Sequence, residues 1–146
     1  MHKKTITYND FDGNKRTEDA YFNLTKSEMI EFALDLPDGV SDTVDKDTLE
    51  KNPDMAASKL SNMLGKKGVY NFIKDLVLKS YGVKKEDGRR FAKQDENGRP
   101  LYIEFAQTMA FEAVMEEFRN NDVAAAEFVK AVIPGDTANK IPSLKQ

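Results

Sequence analysis

Val69-Tyr70-Asn71-Phe72-Ile73-Lys74-Asp75-Leu76-Val77-Leu78-Lys79-Ser80-Tyr81-Gly82 sets the reading of this chain. Val69, Phe72, Ile73, Leu76, Val77 and Tyr81 recur at helical spacing and form one broad apolar stripe. Asn71, Lys74, Asp75 and Lys79 take the opposite face. Gly82 stands where a left-handed helix cap is expected, because a residue without Cβ enters that conformation at little cost. The other elements are expected to pack on this helix.

Downstream, Val83 to Pro100 is polar and rich in turn residues, with Asp87-Gly88 and Asn97-Gly98. Phe91 is expected to anchor this loop to the core, with a short second hairpin as the alternative. Leu101 to Phe118 is the longest helix candidate, and Pro100 suits its first turn. Its apolar residues lie nearly all round: Leu101, Tyr102, Phe105, Met109, Phe111, Val114, Met115 and Phe118. Such a helix is either central to the core or offers a second apolar face to a partner. Asn120-Asn121-Asp122 breaks and re-caps the chain. Val123 to Ile133 reads as the last helix, with Ala124, Phe128, Val129 and Val132 inward. Pro134-Gly135 ends it, and 136–146 reads as a flexible polar tail.

Upstream, Gly65-Lys66-Lys67-Gly68 interrupts a preceding helix, Met55 to Leu64, that Asp54 can cap. Ala56, Leu60, Met63 and Leu64 are its inward residues. Before it, 37–54 is acidic and weakly patterned. It reads as a mobile loop with a short helical turn near Thr48 to Lys51. Thr25-Lys26-Ser27-Glu28 is a capping box that opens a helix to about Leu36, with Met29, Ile30, Ala33 and Leu34 inward. Residues 1–24 read as a β-hairpin around Asp12-Gly13. A two-residue loop there would set Ile6 opposite Asp19 and mix the faces. An odd-length, bulged turn within Asp10 to Lys15 keeps one apolar face. The expected fold is mainly α: a hairpin (1–24), then a compact bundle of four to five helices (25–135), in one domain.

Composition excludes several chemistries. The 146-residue chain has no cysteine and one histidine, His2, so it lacks the residues for a cysteine-ligated metal or a thiolate nucleophile. No apolar run approaches the roughly 20 residues of a membrane span, and no secretory signal opens the sequence. A cytoplasmic, non-enzymatic protein is expected, with no cofactor, metal or membrane partner. Asp10, Asp12 and Asn14 suggest a calcium loop, but its glycine and closing glutamate are missing. Glu112, Glu116 and Glu117 share one helix without a pocket signature and read as a solvated face. Charge is uneven: Lys66 to Lys93 holds nine basic residues against three acidic ones, net +6 in a chain of −3. Lys84, Lys85, Arg89 and Arg90 flank a turn there; the basic segment either offsets the acidic residues between Asp35 and Asp54 on one surface or offers a basic face for an acidic partner. Nucleic acid is not expected, since the chain is acidic overall and carries no known binding motif.

Five strings, in order, resemble a known family. They are Tyr21-Phe22-Asn23-Leu24-Thr25, Phe72 through Gly82, Asp87-Gly88-Arg89-Arg90-Phe91, Glu104-Phe105-Ala106-Gln107-Thr108, and Ala125-Ala126-Glu127-Phe128-Val129 with Ile133-Pro134. Together they resemble the tail assembly chaperones of long, flexible-tailed bacteriophages, chiefly those of Gram-positive hosts. The acidic loop and the Met55 helix depart from that pattern. The resemblance implies a chaperone in the host cytoplasm that coats the phage tape-measure protein, keeps it soluble and recruits major tail (tube) subunits. It also implies a longer frameshifted form as a companion, and absence from the mature virion. Partner contact would then fall to the surplus apolar residues of the long helix, namely Leu101, Phe105, Met109, Phe111, Met115 and Phe118, and to the basic turn. Met29 and Met63 add adaptable side chains. The alternative is a structural virion component, such as a head–tail connector or tail-completion protein.

Overall fold

The first hairpin shows how its turn sets its register. In the computed structural model, which describes residues 1–40 and 46–134, strands β1 (His2–Asn9) and β2 (Lys15–Phe22) pair antiparallel. The loop is odd-numbered, as expected: Asp10 N–H donates to Asn14 O (2.9 Å) and Gly13 N–H to Asp10 O (3.0 Å). The Asp10 carboxylate ties the loop by accepting from the N–H groups of Asp12 and Asn14 and from Arg16 Nε. Ile6 therefore faces Glu18, and Lys4 faces Ala20. His2, Lys4, Ile6 and Tyr8 share a face with Ala20 and Phe22, which gives the sheet one buried side.

Helix α1 (Lys26–Leu34) opens on the capping box: Thr25 Oγ1 accepts from Glu28 N–H, and Glu28 Oε1 accepts from Thr25 N–H. Met29, Phe32 and Ala33 face inward, while Leu34 is half exposed at 51%. Phe32 takes the inward place expected of Leu34, against the Phe72 ring. Within the loop expected at 37–54, Lys46–Lys51 forms helix α2, and Val40 and Leu49 are buried. Residues 41–45 and 135–146 lie outside the described residues, the expected tail among them.

Helix α3 (Pro53–Ser80) contains the opening stretch up to Ser80 and breaks at Gly65, whose φ of +73° and ψ of 172° are open to glycine at little cost. Its N-cap is Asn52, not Asp54, and no side chain caps it. The helix ends one residue earlier than the sequence suggests. Tyr81 is extended (φ −64°, ψ 139°), and Gly82 is no cap. Gly82 instead lies buried in strand β3 (Tyr81–Lys84), which pairs with β4 (Phe91–Ala92). The second hairpin thus forms. With Tyr21 opposite Gly82 it extends the first into one antiparallel sheet of order β1-β2-β3-β4.

The expected long helix is two helices, α4 (Leu101–Phe105) and α5 (Met109–Asn120). Thr108 makes the break: its hydroxyl donates to Phe105 O (2.7 Å) and accepts from Phe111 N–H (3.2 Å), capping α5. The bend brings the Phe105 and Phe111 rings to 5.7 Å in one core. Asn121 then caps α6 (Asp122–Val132) through Ala124 N–H. Six helices are present among the described residues, one more than the upper expected count. The core centres on Phe22, fully buried, with the rings of Tyr81, Phe105 and Phe128 at 6.0, 6.1 and 5.2 Å.

Lys93 fastens the sheet to the helices. Its Nζ donates to Asn23 O (2.8 Å) and Lys79 O (2.7 Å) and pairs with Glu28 Oε2 (3.1 Å). Burial holds its pKa below the usual lysine value, with Glu28 opposing the shift. Lys93→Met keeps the stem but strips all three contacts. It should cost about 2 kcal/mol, the size of a lost charged hydrogen-bond set at a part-buried site. Urea denaturation reads this directly, and an unchanged midpoint would remove the fastening role.

Candidate partner-binding groove

The break at Gly65 also makes the site. A straight helix from 53 to 80 presents one continuous face. Turned at Gly65, the two halves of α3 diverge and leave a trough between them that α5 and α6 close. Gly68 permits the tight corner, since a Cβ there would sit 2.7 Å from Leu64 Cβ. The resulting groove encloses about 580 Å³.

Its floor is apolar. Leu49 comes from α2, Ala57 and Leu60 from the first half of α3, and Val69, Phe72 and Ile73 from the second. Met115 and Phe118 come from α5, and Ala125, Ala126 and Val129 from α6. Leu60, Phe72, Phe118 and Val129 are themselves buried, so the floor is the outer surface of the core. Tyr70 stands on the rim, 38% exposed, with Lys66, Arg119 and Asp122. Arg119 is oriented by Glu112 at 3.0 Å, which raises its pKa further, and Tyr70 adds in the same direction. An apolar trough with a charged rim has the chemistry of a helix-binding groove.

The residues singled out from the sequence scatter. Phe105, Phe111, Met115 and Phe118 are core side chains, so these four do not form an exposed face. The break at Thr108 folds them inward. Met115 and Phe118 still reach the groove, as part of its floor. Leu101 and Met109 are half-buried and lie outside the groove, and Tyr102 (38%) and Ile103 (39%) are the large apolar residues of α4 that remain exposed. Lys84, Lys85, Arg89 and Arg90 sit on the β3–β4 hairpin, and none lines the groove. Met29 is core, and Met63 lies beside Gly39. Of the three helical glutamates, Glu112 pairs with Arg119 and Glu117 with Lys4, as a solvated face does.

The sequence reading missed Val69, Tyr70, Ile73 and Ala126 as surface-groove residues. The Gly-Lys-Lys-Gly interruption was the available signal, because a broken amphipathic helix exposes part of the stripe it would otherwise bury. No helix among the described residues is long and apolar enough to cross a membrane.

Comparison with curated proteins gives no match, and comparison with solved structures gives none either. A family model described as phage tail assembly chaperone matches residues 1–145, and so takes in the sheet, every described helix and the whole groove. The chain belongs to the phage tail assembly chaperone family.

Proposed function

We propose that this tail assembly chaperone holds an amphipathic helical stretch of the tape-measure protein in the groove between the two halves of α3. In this reading the complex keeps that protein soluble in the host cytoplasm. It then recruits major tail (tube) subunits without any catalytic step. The observation that supports it is the groove itself: an apolar floor large enough for a row of side chains, bounded by Tyr70, Lys66, Arg119 and Asp122. A helix of that kind buries its stripe against Val69, Ile73 and Ala126, and its polar face stays in water. The basic residues of the β3–β4 hairpin then remain available for a second, acidic partner, such as a tube subunit or the longer frameshifted form.

Co-expression with the tape-measure protein tests the proposal. The expected result is more soluble tape-measure protein and a complex on sizing. No gain in solubility and no complex would sink the reading, and finding the chain in purified particles would favour a structural virion role instead. Two substitutions locate the contact. Tyr70→Glu and Ala126→Glu change exposed or half-exposed groove positions, so the fold should persist. Each should weaken tape-measure binding roughly thirtyfold, the equivalent of about 2 kcal/mol at a contact hot spot. Lys84→Glu on the hairpin should leave that binding unchanged. Equal losses at all three positions would move the site away from the groove.

A further inference from the structure

The outer edge of β1 is the longest run of backbone in the sheet with only one neighbour. Asp10 N–H donates to Asn14 O, so Asp10 points its backbone at β2. Counting back in steps of two, Tyr8, Ile6, Lys4 and His2 do the same. Lys3, Thr5, Thr7 and Asn9 therefore direct their N–H and C=O groups outward. The sheet has nothing beyond β1, and among the described residues no backbone group receives them. Their side chains are all exposed.

Edge strands are commonly blunted by short length, charged side chains (lysine above all), proline, a bulge or an inward charge. The opposite edge, β4, follows this pattern with two residues. β1 has eight residues, pairs with β2 in unbroken register from His2 to Asn9 and contains no proline. Both of its lysines are already paired within the chain: Lys3 with Asp19 (3.6 Å), and the inward Lys4 with Glu117, over the Phe118 ring. The edge is long, free of a bulge and left ready to pair.

We infer that β1 pairs antiparallel with β1 of a second copy of this chain, joining two four-stranded sheets into one across a twofold axis at Thr5. The sequence of the strand is its own complement in that register. Thr5 faces Thr5 of the second copy, and Lys3 faces Thr7, all with outward backbone groups. On the other face Lys4 falls opposite Ile6 and His2 opposite Tyr8, so no like charges meet. Moving the axis to Lys4 would set that lysine against itself. The pairing leaves the groove open on each copy, and it stands whether or not the groove takes a helix.

Light scattering across a concentration series should show a mass rising toward twice the 16.5 kDa of one chain. Thr5→Pro removes an N–H that β2 does not use, together with the exposed hydroxyl bond to Asp19 (2.7 Å), so it should keep the wild-type circular dichroism with a slightly lower melting temperature yet stay monomeric. The chain is free of cysteine, so Thr5→Cys alone should give a disulfide-linked dimer on mild oxidation, while Ser58→Cys on α3 should give none above background. A wild type that is monomeric throughout, a Thr5→Pro variant that folds and still dimerises, or equal cross-linking at the two cysteines would overturn the pairing. Should Thr5→Pro fail to fold, the cysteine pair decides.

Discussion

Phe22→Ala is expected to cost about 4 kcal/mol, the largest effect of any single truncation in this protein. Phe22 is fully buried at the junction of the sheet and the helices, and its ring meets Tyr81, Phe105 and Phe128 edge-on. Truncation removes the transfer free energy of the ring and three aromatic contacts. It also leaves a cavity walled by β3, α4 and α6, elements that cannot all relax into it. For a domain of this size the melting temperature should fall by on the order of 10–15 °C. Phe22→Leu fills most of that volume and should lose less than half as much. Calorimetry on the pair is the measurement. If the alanine variant melts with the leucine variant, Phe22 is not the hub of the core.

Gly82→Ala should be nearly as damaging, although it adds a single methyl group. A Cβ at Gly82 would overlap the Phe91 ring and come within 2.6 Å of Ala92 O. The ring could turn, but the carbonyl belongs to the paired strand and can move only if β3 and β4 separate. Overpacking of this kind costs about 3 kcal/mol. Loss of the Val83–Ala92 and Lys84–Phe91 pairs should also free the amides of the β3–β4 hairpin to exchange. Hydrogen exchange at Lys85, whose N–H donates to Arg90 O, is the local readout. A variant that melts within about 2 °C of the wild type, a shift too small for a cost of this size, would show that the close approach is not needed. The helix-cap reading of Gly82 predicts a different result. A cap glycine with positive φ resists alanine through backbone strain, whereas Gly82 resists it through crowding by a neighbouring strand.

That contrast separates what is legible in a sequence from what is not. The capping box at Thr25 and Glu28, the odd-length turn at Asp10 to Asn14 and the re-capping at Asn121 all rest on contacts within a few residues. Each can be read because the partners are fixed by spacing. The apolar stripe from Val69 to Val77 is legible for the same reason. The five strings that resemble tail assembly chaperones agree with the family model over 1–145. They are mostly turn and packing segments, the kind that local chemistry constrains.

Other features depended on partners distant in the chain. The end of α3 at Ser80 and the strand role of Gly82 were set by Phe91 and Ala92. The break at Thr108 is local in its capping bonds, yet the sequence between Leu101 and Phe118 is apolar enough to pass as one helix. What made two helices preferable was the chance to bury Phe105 against Tyr81, stacked at 4.0 Å, and Phe111 beside it. Lys93 could be read only as one more cation in a basic segment until the fold brought Asn23, Lys79 and Glu28 around it.

By itself, then, the sequence determined the local pieces: the first hairpin and its register, the caps of the first and last helices, and the family to which the chain belongs. Tertiary structure alone decided which apolar residues are core and which are surface. Helical spacing says only that a residue lies on an apolar face. Whether that face is covered depends on where the helix bends and what packs across it. For Leu101 to Phe118 a bend hid the face that looked spare, and at Gly65 a bend opened one that looked fully used.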